Sequence, residues 1–230
     1  MATFEAQVEG LTGIAISTDT NPTQDELTQF LKDGVLDVTK RCIQAKPQDA
    51  TKFQDVTAEQ TSQGANLNGA RVISVVRESG TNNDWRSCRF IAPSMQSRVT
   101  DADSLNFASK LNPAYTILED GKINVYPAPD SDPDAYKIYY VNNTPQNASG
   151  SALLYSHSDL KSFPDDKVYL VAIYAAIKSL ESKMANFAID EEDTELVQAI
   201  SSNLASLKQQ YEGAFASMAP PQPQQVAGGR

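Results

Sequence analysis

Stretches with the periodicity of amphipathic helices lie at both ends of this chain, and a long segment with strand-like patterns separates them. The first helical stretch begins at Thr23, where Glu26 three residues later completes a capping box, and it ends at Lys46-Pro47. A second begins at Ser162-Phe163-Pro164-Asp165, and a third follows the four acids at 190–193. Because each helix presents apolar side chains, the first must return across the intervening segment to pack against the other two.

The apolar residues of these helices recur every three or four positions, which places them on one face of the first and third helices. In the second helix they cover most of the circumference from Val168 to Leu180, so we expect this helix at the centre of a bundle. The residues expected to pack the bundle and to contact other copies of the chain are Leu27, Phe30, Leu31, Val35, Leu170, Tyr174, Ile177, Leu196, Ile200, Leu204, Leu207 and Tyr211.

The intervening segment carries the signals of short strands. Arg71–Arg77 and Trp85–Ile91 flank a cluster of turn residues and predict an antiparallel pair. Asp120-Gly121 lies between two strand-like stretches and predicts a tight hairpin in which both residues take a positive φ. We expect Tyr136–Val141 to pair back onto this hairpin as the third strand of a meander, and residues 101–111 to form a short helix capped by one of its aspartates.

These patterns predict an α+β fold, in which a helical bundle of one N-terminal and two C-terminal long helices carries an inserted antiparallel β-module. The prolines near the C terminus remove backbone donors and their neighbours bury little, so that segment is expected to be a flexible tail. The predicted domains are an N-terminal arm (1–20), a discontinuous bundle (21–47 and 158–218), the β-module (48–157) and the C-terminal tail (219–230).

No residue pattern points to catalysis, a cofactor or a metal ion. His157, the only histidine, is interpreted as an ordinary loop residue, and the glycine-rich nucleotide motifs and the serine elbow are absent. Cys42 and Cys88 lack zinc-site spacing and are expected to be buried free thiols. Asp130–Asp134 lacks the glycine and the glutamate of a calcium loop. We therefore expect no enzymatic activity, no cofactor and no metal site.

The charge balance and the apolar runs restrict the partners. Lys and Arg total 19 against 29 Asp and Glu, a net charge of −10, and such a surface repels the phosphates of a DNA duplex. The longest apolar run, Val168–Ile177, covers about half of a bilayer span. Met1–Gly10 lacks the basic start of a signal peptide. We expect neither sequence-specific DNA binding nor a membrane partner.

The order of the elements, together with particular stretches within them, resembles a known protein family. One stretch is Asn112–Pro129, followed by Tyr136–Tyr140, and another is Phe163–Ile177. With the leading and the last helix, they resemble the head-to-tail adaptor (connector) proteins of tailed bacteriophages, especially the tail-tube adaptors of short-tailed phages. The resemblance extends over residues 23–218.

The resemblance implies a structural protein of the virion. It implies a homo-oligomeric ring, usually of twelve copies, between the portal and the phage tail, through which DNA passes without being held. It also implies synthesis in the bacterial host cytoplasm and a final location in the virion neck. The β-module would meet the next tail or nozzle protein through Glu119, Asp120, Gly121 and Lys122. The C-terminal tail would grip the portal protein through Pro220, Pro221, Gln222, Pro223, Gln224, Gln225, Val226 and Arg230.

Two other classes of function stay open at this point. Residues 1–20 and the polar segment 44–69 depart from the family layout, so another virion component, such as a minor capsid, decoration or tail-completion protein, also fits the pattern. An enzyme or a small-molecule binder is the third class. The mass of the native particle distinguishes the three classes. An adaptor predicts a twelve-copy particle, another virion component predicts a trimer, and an enzyme or small-molecule binder predicts a ligand-stabilised monomer.

Overall fold

The computed structural model describes residues 2–81, 83–130, 133–187 and 194–218. The chain forms two compact units. The helical unit contains the described residues of Met1–Phe53 and Thr144–Arg230, and the β unit is Gln54–Asn143. The β unit is thus inserted between two segments of the helical unit, and the predicted α+β class is confirmed.

The units begin and end at other residues than the predicted domains, whose boundaries lie at 47/48 and 157/158. Pro47–Phe53 forms a 3-10 turn whose Phe53 ring contacts Phe163 edge-on, 5.3 Å between centroids, so this turn packs with the helices. The loop that ends at His157 also belongs to the helical unit. The backbone carbonyl of His157 accepts a hydrogen bond from the Phe4 backbone N–H at 2.8 Å.

Within the described residues, five α-helices and three 3-10 turns are present. The α-helices are α1 (Phe4–Thr12), α2 (Gln24–Ala45), α3 (Gln96–Thr100), α4 (Val168–Phe187) and α5 (Thr194–Ala216), and only α3 belongs to the β unit. The 3-10 turns are Pro47–Phe53, Pro93–Met95 and Asp165–Lys167.

Helix α2 begins and ends where the sequence predicts. Thr23 Oγ1 accepts a hydrogen bond from the Glu26 backbone N–H at 3.3 Å, and Glu26 Oε2 accepts one from the Thr23 backbone N–H at 2.7 Å. Both bonds of the capping box are therefore present, and Pro47 stops the helix at the other end. Helix α2 packs against α4, and Leu27 and Leu31 are fully buried.

Glycine permits the close approach of α2 to α4 at one point. A Cβ atom built on Gly34 would lie 3.1 Å from Cδ1 and 3.4 Å from Cβ of Tyr174. The missing side chain therefore lets the Tyr174 ring lie against the backbone of α2.

Residues 1–20, expected to form an arm, contain helix α1. Thr3 Oγ1 accepts a hydrogen bond from the Ala6 backbone N–H at 3.2 Å, and Gly13 closes the helix with a φ of 70°. Helix α1 packs against α4, and Phe4 and Val8 are fully buried. Two buried side chains in nine residues make too short a pattern to identify a helix from sequence.

Helix α4 has a different start from the predicted one. Pro164, rather than Ser162, occupies the cap position of the 3-10 turn Asp165–Lys167, which leads into α4 at Val168. The fixed φ of proline suits this position, whereas Ser162 has a φ of +53° and lies outside the turn. The acids at 190–193, expected to begin the next helix, lie outside the described residues.

A glutamate on α4 links it to α5. Glu181 pairs with Lys178 at 2.8 Å and with Lys208 of α5 at 2.9 Å. Burial raises the pKa of Glu181, but the hydrogen bonds from the two lysines outweigh burial and lower it overall.

The described part of the β unit contains two four-stranded sheets. Their strands are β1 (Gln54–Val56), β2 (Ala65–Asn66), β3 (Val72–Glu78), β4 (Trp85–Ser87), β5 (Arg89–Phe90), β6 (Ala114–Ile117), β7 (Lys122–Tyr126) and β8 (Tyr136–Val141). One sheet has the order β1-β8-β3-β4 and the other β2-β7-β6-β5. The antiparallel pairing of β3 with β4 and the hairpin β6–β7 are confirmed.

The predicted meander is wrong, because β8 pairs with β3 and β1 instead of the hairpin. Tyr136 and Ile138 of β8 pack with Val75 of β3 and with Ile123 and Val125 of β7 in one core. Strand β8 therefore covers the apolar face of the hairpin and does not extend its edge. The module also departs from a purely antiparallel arrangement, since β5 runs parallel to β6.

The predicted helix at 101–111 is also wrong. Helix α3 lies just before it, and the segment itself forms turns. Asp101 Oδ1 accepts a hydrogen bond from the Asp103 backbone N–H at 3.0 Å, and Ser104 Oγ accepts one from Asn106 N–H at 3.2 Å. These short polar side chains bond to the local backbone, which competes with helix formation.

The hairpin turn differs from the predicted one in its loop length. Gly121 has a φ of 79°, whereas Asp120 does not take a positive φ. The Leu118 carbonyl accepts a hydrogen bond from the Gly121 N–H, and the Leu118 N–H donates to the Lys122 carbonyl, both at 2.9 Å. The loop therefore has three residues and places its glycine in the left-handed region.

The contact at Gly34 predicts a position-dependent effect of valine. Gly34→Val should lower the free energy of unfolding by about 1–3 kcal/mol, because the new side chain would overlap Tyr174. Gly213→Val on α5 is the matched control: a Cβ there meets no atom within 4 Å, so the change should stay below about 0.5 kcal/mol. Urea denaturation followed by circular dichroism measures both, and equal effects would contradict the close approach.

The lowered pKa of Glu181 predicts a pH-dependent stability. Its stabilising effect is present above the unfolded pKa of about 4.3 and is lost as the pH falls through the lower folded value. Because the side chain is 34% exposed, the loss should stay below about 1 kcal/mol. Glu181→Gln should therefore lose less stability than the natural chain between pH 5 and pH 3. Glu119→Gln in the hairpin is the control, and identical pH profiles of the natural and Glu181→Gln chains would refute the linkage.

Candidate assembly surfaces

A cluster around Arg41 holds the C-terminal part of α5 against α2, and we call it the Arg41 clamp (Asp37, Arg41, Tyr211, Glu212, Phe215). Arg41 Nε donates to Asp37 Oδ2 at 2.9 Å, and Nη1 donates to both carboxylate oxygens of Glu212 at 2.9 Å. The guanidinium carbon lies 5.2 Å from each ring centroid of Tyr211 and Phe215. The clamp thus fixes the last turns of the helix that precedes the C-terminal tail.

The charges of the clamp reinforce one another. Burial lowers the pKa of Arg41, but its hydrogen bond to Glu212 and the charge of Asp37 outweigh burial and raise it overall. Burial and the hydrogen bond to Asp37 raise the pKa of Tyr211 far above its usual range. The Tyr211 phenol therefore stays protonated and donates to Asp37 Oδ2 at 2.6 Å.

A cavity of about 230 Å³ opens where α2 ends and α4 begins, and we call it the base cavity. Lys52 pairs with Asp49 at 3.1 Å and Lys167 pairs with Asp166 at 3.1 Å, whereas Lys46 has no ion pair in the part of the chain that the structure describes. The walls of the base cavity are formed by Cys42, Ala45, Lys46, Asp49, Lys52, Phe53, Pro164, Asp166, Lys167 and Met218.

Most of the predicted packing residues lie inside the helical unit. Leu196 is exposed, and Phe30, Tyr174 and Leu204 are half-buried. The other members are buried: Leu27, Leu31, Val35, Leu170, Ile177, Ile200, Leu207 and Tyr211. One chain therefore covers these side chains by itself, and a contact between copies needs other, exposed residues.

The β unit exposes the hairpin and an apolar loop. Asp120 and Lys122 of the hairpin pair at 2.7 Å on the surface. Residues 104–111, which we call the apolar loop, carry Leu105, Phe107 and Leu111, and Leu105 is fully exposed. Arg89 Nη2 donates to the carbonyl of Asn106 and holds this loop in place. The sequence signal for this loop is a group of large apolar residues among polar ones, but the pattern predicts a helix at 101–111 instead of an exposed loop.

The predicted portal contacts, Pro220 to Val226 and Arg230, lie outside the described residues. Cys42 and Cys88 are buried free thiols, as predicted. His157 lies in a turn, and its Nδ1 accepts a hydrogen bond from the Leu154 backbone N–H at 3.1 Å. In the described ranges, no group of three or more His, Cys, Asp or Glu side chains is arranged to hold a metal ion. None of the described helices has the length and apolar character needed to cross a bilayer.

Comparison with known protein families gives a match over almost the whole chain. The family model described as SU10 adaptor protein matches residues 7–229, which covers both units. No curated protein matches the sequence.

The clamp predicts a specific loss of stability. Arg41→Ala removes two ion pairs and the stacking on two rings, and should lower the free energy of unfolding by about 1–2 kcal/mol. Arg86→Ala is the control, because Arg86 makes a surface pair with Asp84 and its loss should cost less than about 0.5 kcal/mol. Hydrogen exchange should show faster exchange in the last turns of α5 only for Arg41→Ala. Equal exchange in both variants would contradict the clamp.

Proposed function

The chain belongs to the SU10 adaptor protein family, and from this membership we propose that it is a head-to-tail adaptor that forms a ring between portal and phage tail. The family consists of structural adaptor proteins of phages, so the chain is a virion component that acts through contacts with other virion proteins. The observation that carries the proposal is the extent of the match, since residues 7–229 include both units and nearly all of the C-terminal tail.

The helical unit supplies the contacts between neighbouring copies in the ring. Most of its packing residues are covered within one chain, so the contacts fall to exposed apolar side chains, among them Leu36 on α2, Tyr169 on α4 and the predicted packing residue Leu196 on α5. In a closed ring each copy presents one surface to the neighbour on one side and a different surface to the other. Exposed side chains on separate helices suit this arrangement, because different helices can serve the two neighbours.

The β unit supplies the contact with the next tail or nozzle protein. Its hairpin residues Glu119–Lys122 are largely exposed, and the apolar loop presents Leu105, Phe107 and Leu111 to solvent. Several large apolar side chains exposed on one short loop are typical of a protein-binding surface. The backbone bond from Arg89 restrains the loop, which reduces the entropy lost on binding.

The C-terminal tail, residues 219–230, binds the portal protein. The Arg41 clamp supports this proposal, because it fixes the helix end from which the C-terminal tail starts. Pro220, Pro221 and Pro223 restrict the unbound backbone, so binding costs less conformational entropy than it would for a tail without prolines.

DNA passes through the ring without stable binding. The net charge of −10 leaves few surplus cations to neutralise phosphates, and affinity for DNA depends on the counterions that such neutralisation releases. An acidic channel wall therefore lets the duplex slide.

Purified chain mixed with the portal protein of the same virus should form a complex containing about twelve copies arranged with cyclic symmetry. Size-exclusion chromatography with light scattering measures the mass of this complex. A chain ending at Met218 should fold normally by circular dichroism but lose portal binding. The control Glu119→Ala/Lys122→Ala should bind portal like the natural chain, because the hairpin faces the other partner.

Three results would contradict parts of this proposal. Normal portal binding by the chain ending at Met218 would exclude docking through the C-terminal tail. A stable trimer without affinity for portal would favour another virion component. A monomer that ignores portal and is stabilised by a small molecule would favour a binding protein or an enzyme.

A further inference from the structure

Strand β1 is one edge of the sheet β1-β8-β3-β4, and it turns backbone groups away from that sheet. The Thr57 N–H just after β1 donates to the Ile138 carbonyl of β8 at 3.0 Å. Because ladder bonds alternate along an antiparallel strand, Gln54 and Val56 direct their backbone N–H and C=O groups outward. Both residues are exposed, so the groups are accessible to another strand.

Strand β4 is the opposite edge of the same sheet and has the same property. The Cys88 N–H just after β4 donates to the Val75 carbonyl of β3 at 2.8 Å. By the same alternation, Trp85 and Ser87 direct their backbone groups away from β3. Ser87 is exposed and Trp85 is half-buried, which leaves this edge accessible as well.

The directions of the two edges suit pairing between copies of the chain. Each neighbouring pair in this sheet is antiparallel, so β1 and β4 run in opposite directions. A second copy that is rotated about an axis along the strands therefore brings its β1 antiparallel to β4 of the first copy. The partners across the sheet also place Gln54, Val56, Trp85 and Ser87 on one face, as a continuous sheet requires. A closed ring needs two different surfaces on each copy, and the two edges supply them.

The two strands are complementary in length and charge. Each has three residues, and each carries one charged residue, which is Asp55 in β1 and Arg86 in β4. Alignment of all three residues places these opposite charges across from each other. The same alignment pairs Gln54 with Ser87 and Val56 with Trp85.

The two charged side chains can meet at this junction. Asp55 is buried, but its Oδ1 accepts a hydrogen bond from the outward Val56 N–H at 2.8 Å, which brings that oxygen to the open edge. Arg86 is 46% exposed and pairs with Asp84 at 2.9 Å. Since an exposed ion pair contributes little, Arg86 can exchange Asp84 for the Asp55 of another copy at small cost.

We propose that β4 of one copy pairs with β1 of the next copy, so that the sheets join edge to edge around the ring. This inference rests on the proposed ring and names a backbone contact that holds it together. At each junction the Val56 N–H donates to the Trp85 carbonyl, and Arg86 takes its place at the Asp55 carboxylate. Twelve four-stranded sheets contain about 48 strands, which at about 4.8 Å each form a circle roughly 75 Å across, wide enough to pass a DNA duplex.

The test is a disulfide between copies in the portal-bound assembly of Gln54→Cys/Ser87→Cys. Within one chain these positions are three strand spacings apart, about 14 Å, which is too far for a disulfide. Across the proposed junction their Cα atoms are about 5.5 Å apart, which permits one. After mild oxidation, a non-reducing gel should show a ladder of bands from two to about twelve copies.

Three control variants separate edge pairing from random collision. Gln54→Cys alone and Ser87→Cys alone should give no ladder, because equal positions do not meet in a head-to-tail ring. Glu119→Cys/Ser87→Cys places the second thiol on the exposed hairpin and should also give no ladder. The natural Cys42 and Cys88 are buried in all of these chains.

A proline variant tests the same edge without a new thiol. The N–H of Ser87 points out of its own sheet, so Ser87→Pro should fold with the natural circular dichroism spectrum. It should nevertheless reduce the yield of full rings on the portal roughly tenfold or more, because the neighbour loses a backbone donor and meets the proline ring.

The outcomes distinguish this inference from the proposed function. A full ring in which Gln54→Cys/Ser87→Cys gives no ladder would overturn edge pairing and leave the adaptor ring standing. Normal ring yield with Ser87→Pro, or an equal ladder with Glu119→Cys/Ser87→Cys, would overturn it as well. Failure of the natural chain to form any ring on the portal would contradict the proposed function, and edge pairing with it.

Discussion

The packing of α2 against α4 is the contact on which the helical unit depends. The two helices lie on opposite sides of the inserted β unit in the sequence, so their contact must repay the entropy of closing a long loop. Gly34 lets the Tyr174 ring of α4 approach the backbone of α2. Helix α2 also holds the loop that precedes α4, because Thr28 Oγ1 accepts a hydrogen bond from the Tyr155 backbone N–H at 3.1 Å. With α2 and α4 packed together, α1 covers a further side of α4. Helix α5 is held by the ion pair of Glu181 with Lys208 and by the Arg41 clamp.

Features with a local cause could be predicted from the sequence. The capping box of α2 depends on residues three positions apart, and the hairpin depends on one glycine between two short strands. Features that depend on distant partners could not be predicted. Strand β8 is the next strand after the hairpin, but its apolar side chains gain more by covering the face of the hairpin than by extending its edge. Helix α1 packs against α4 with Phe4 and Val8 fully buried, and no local pattern in the sequence shows this partner.

The candidate surfaces also depend on distant partners and could be predicted only in part. An apolar stripe indicates that a helix face is covered, but not whether the same chain or another copy covers it. Residues such as Leu31 and Leu207 turn out to be covered internally. The Arg41 clamp joins residues 171 positions apart, so neither Arg41 nor Glu212 stands out in the sequence. The clamp gives the C-terminal tail a fixed starting point, which suits a protein whose proposed role is to connect two larger assemblies.

We propose that each chain completes its own helical unit and that the ring is built from exposed side chains. A cryo-electron microscopy map of the portal-bound assembly tests it most directly. We expect a closed ring in which Gly34 of every copy lies against Tyr174 of the same chain and Leu36 or Tyr169 lies at a boundary between copies. Isolated copies on the portal, or a ring in which α2 of one copy packs on α4 of its neighbour, would contradict it.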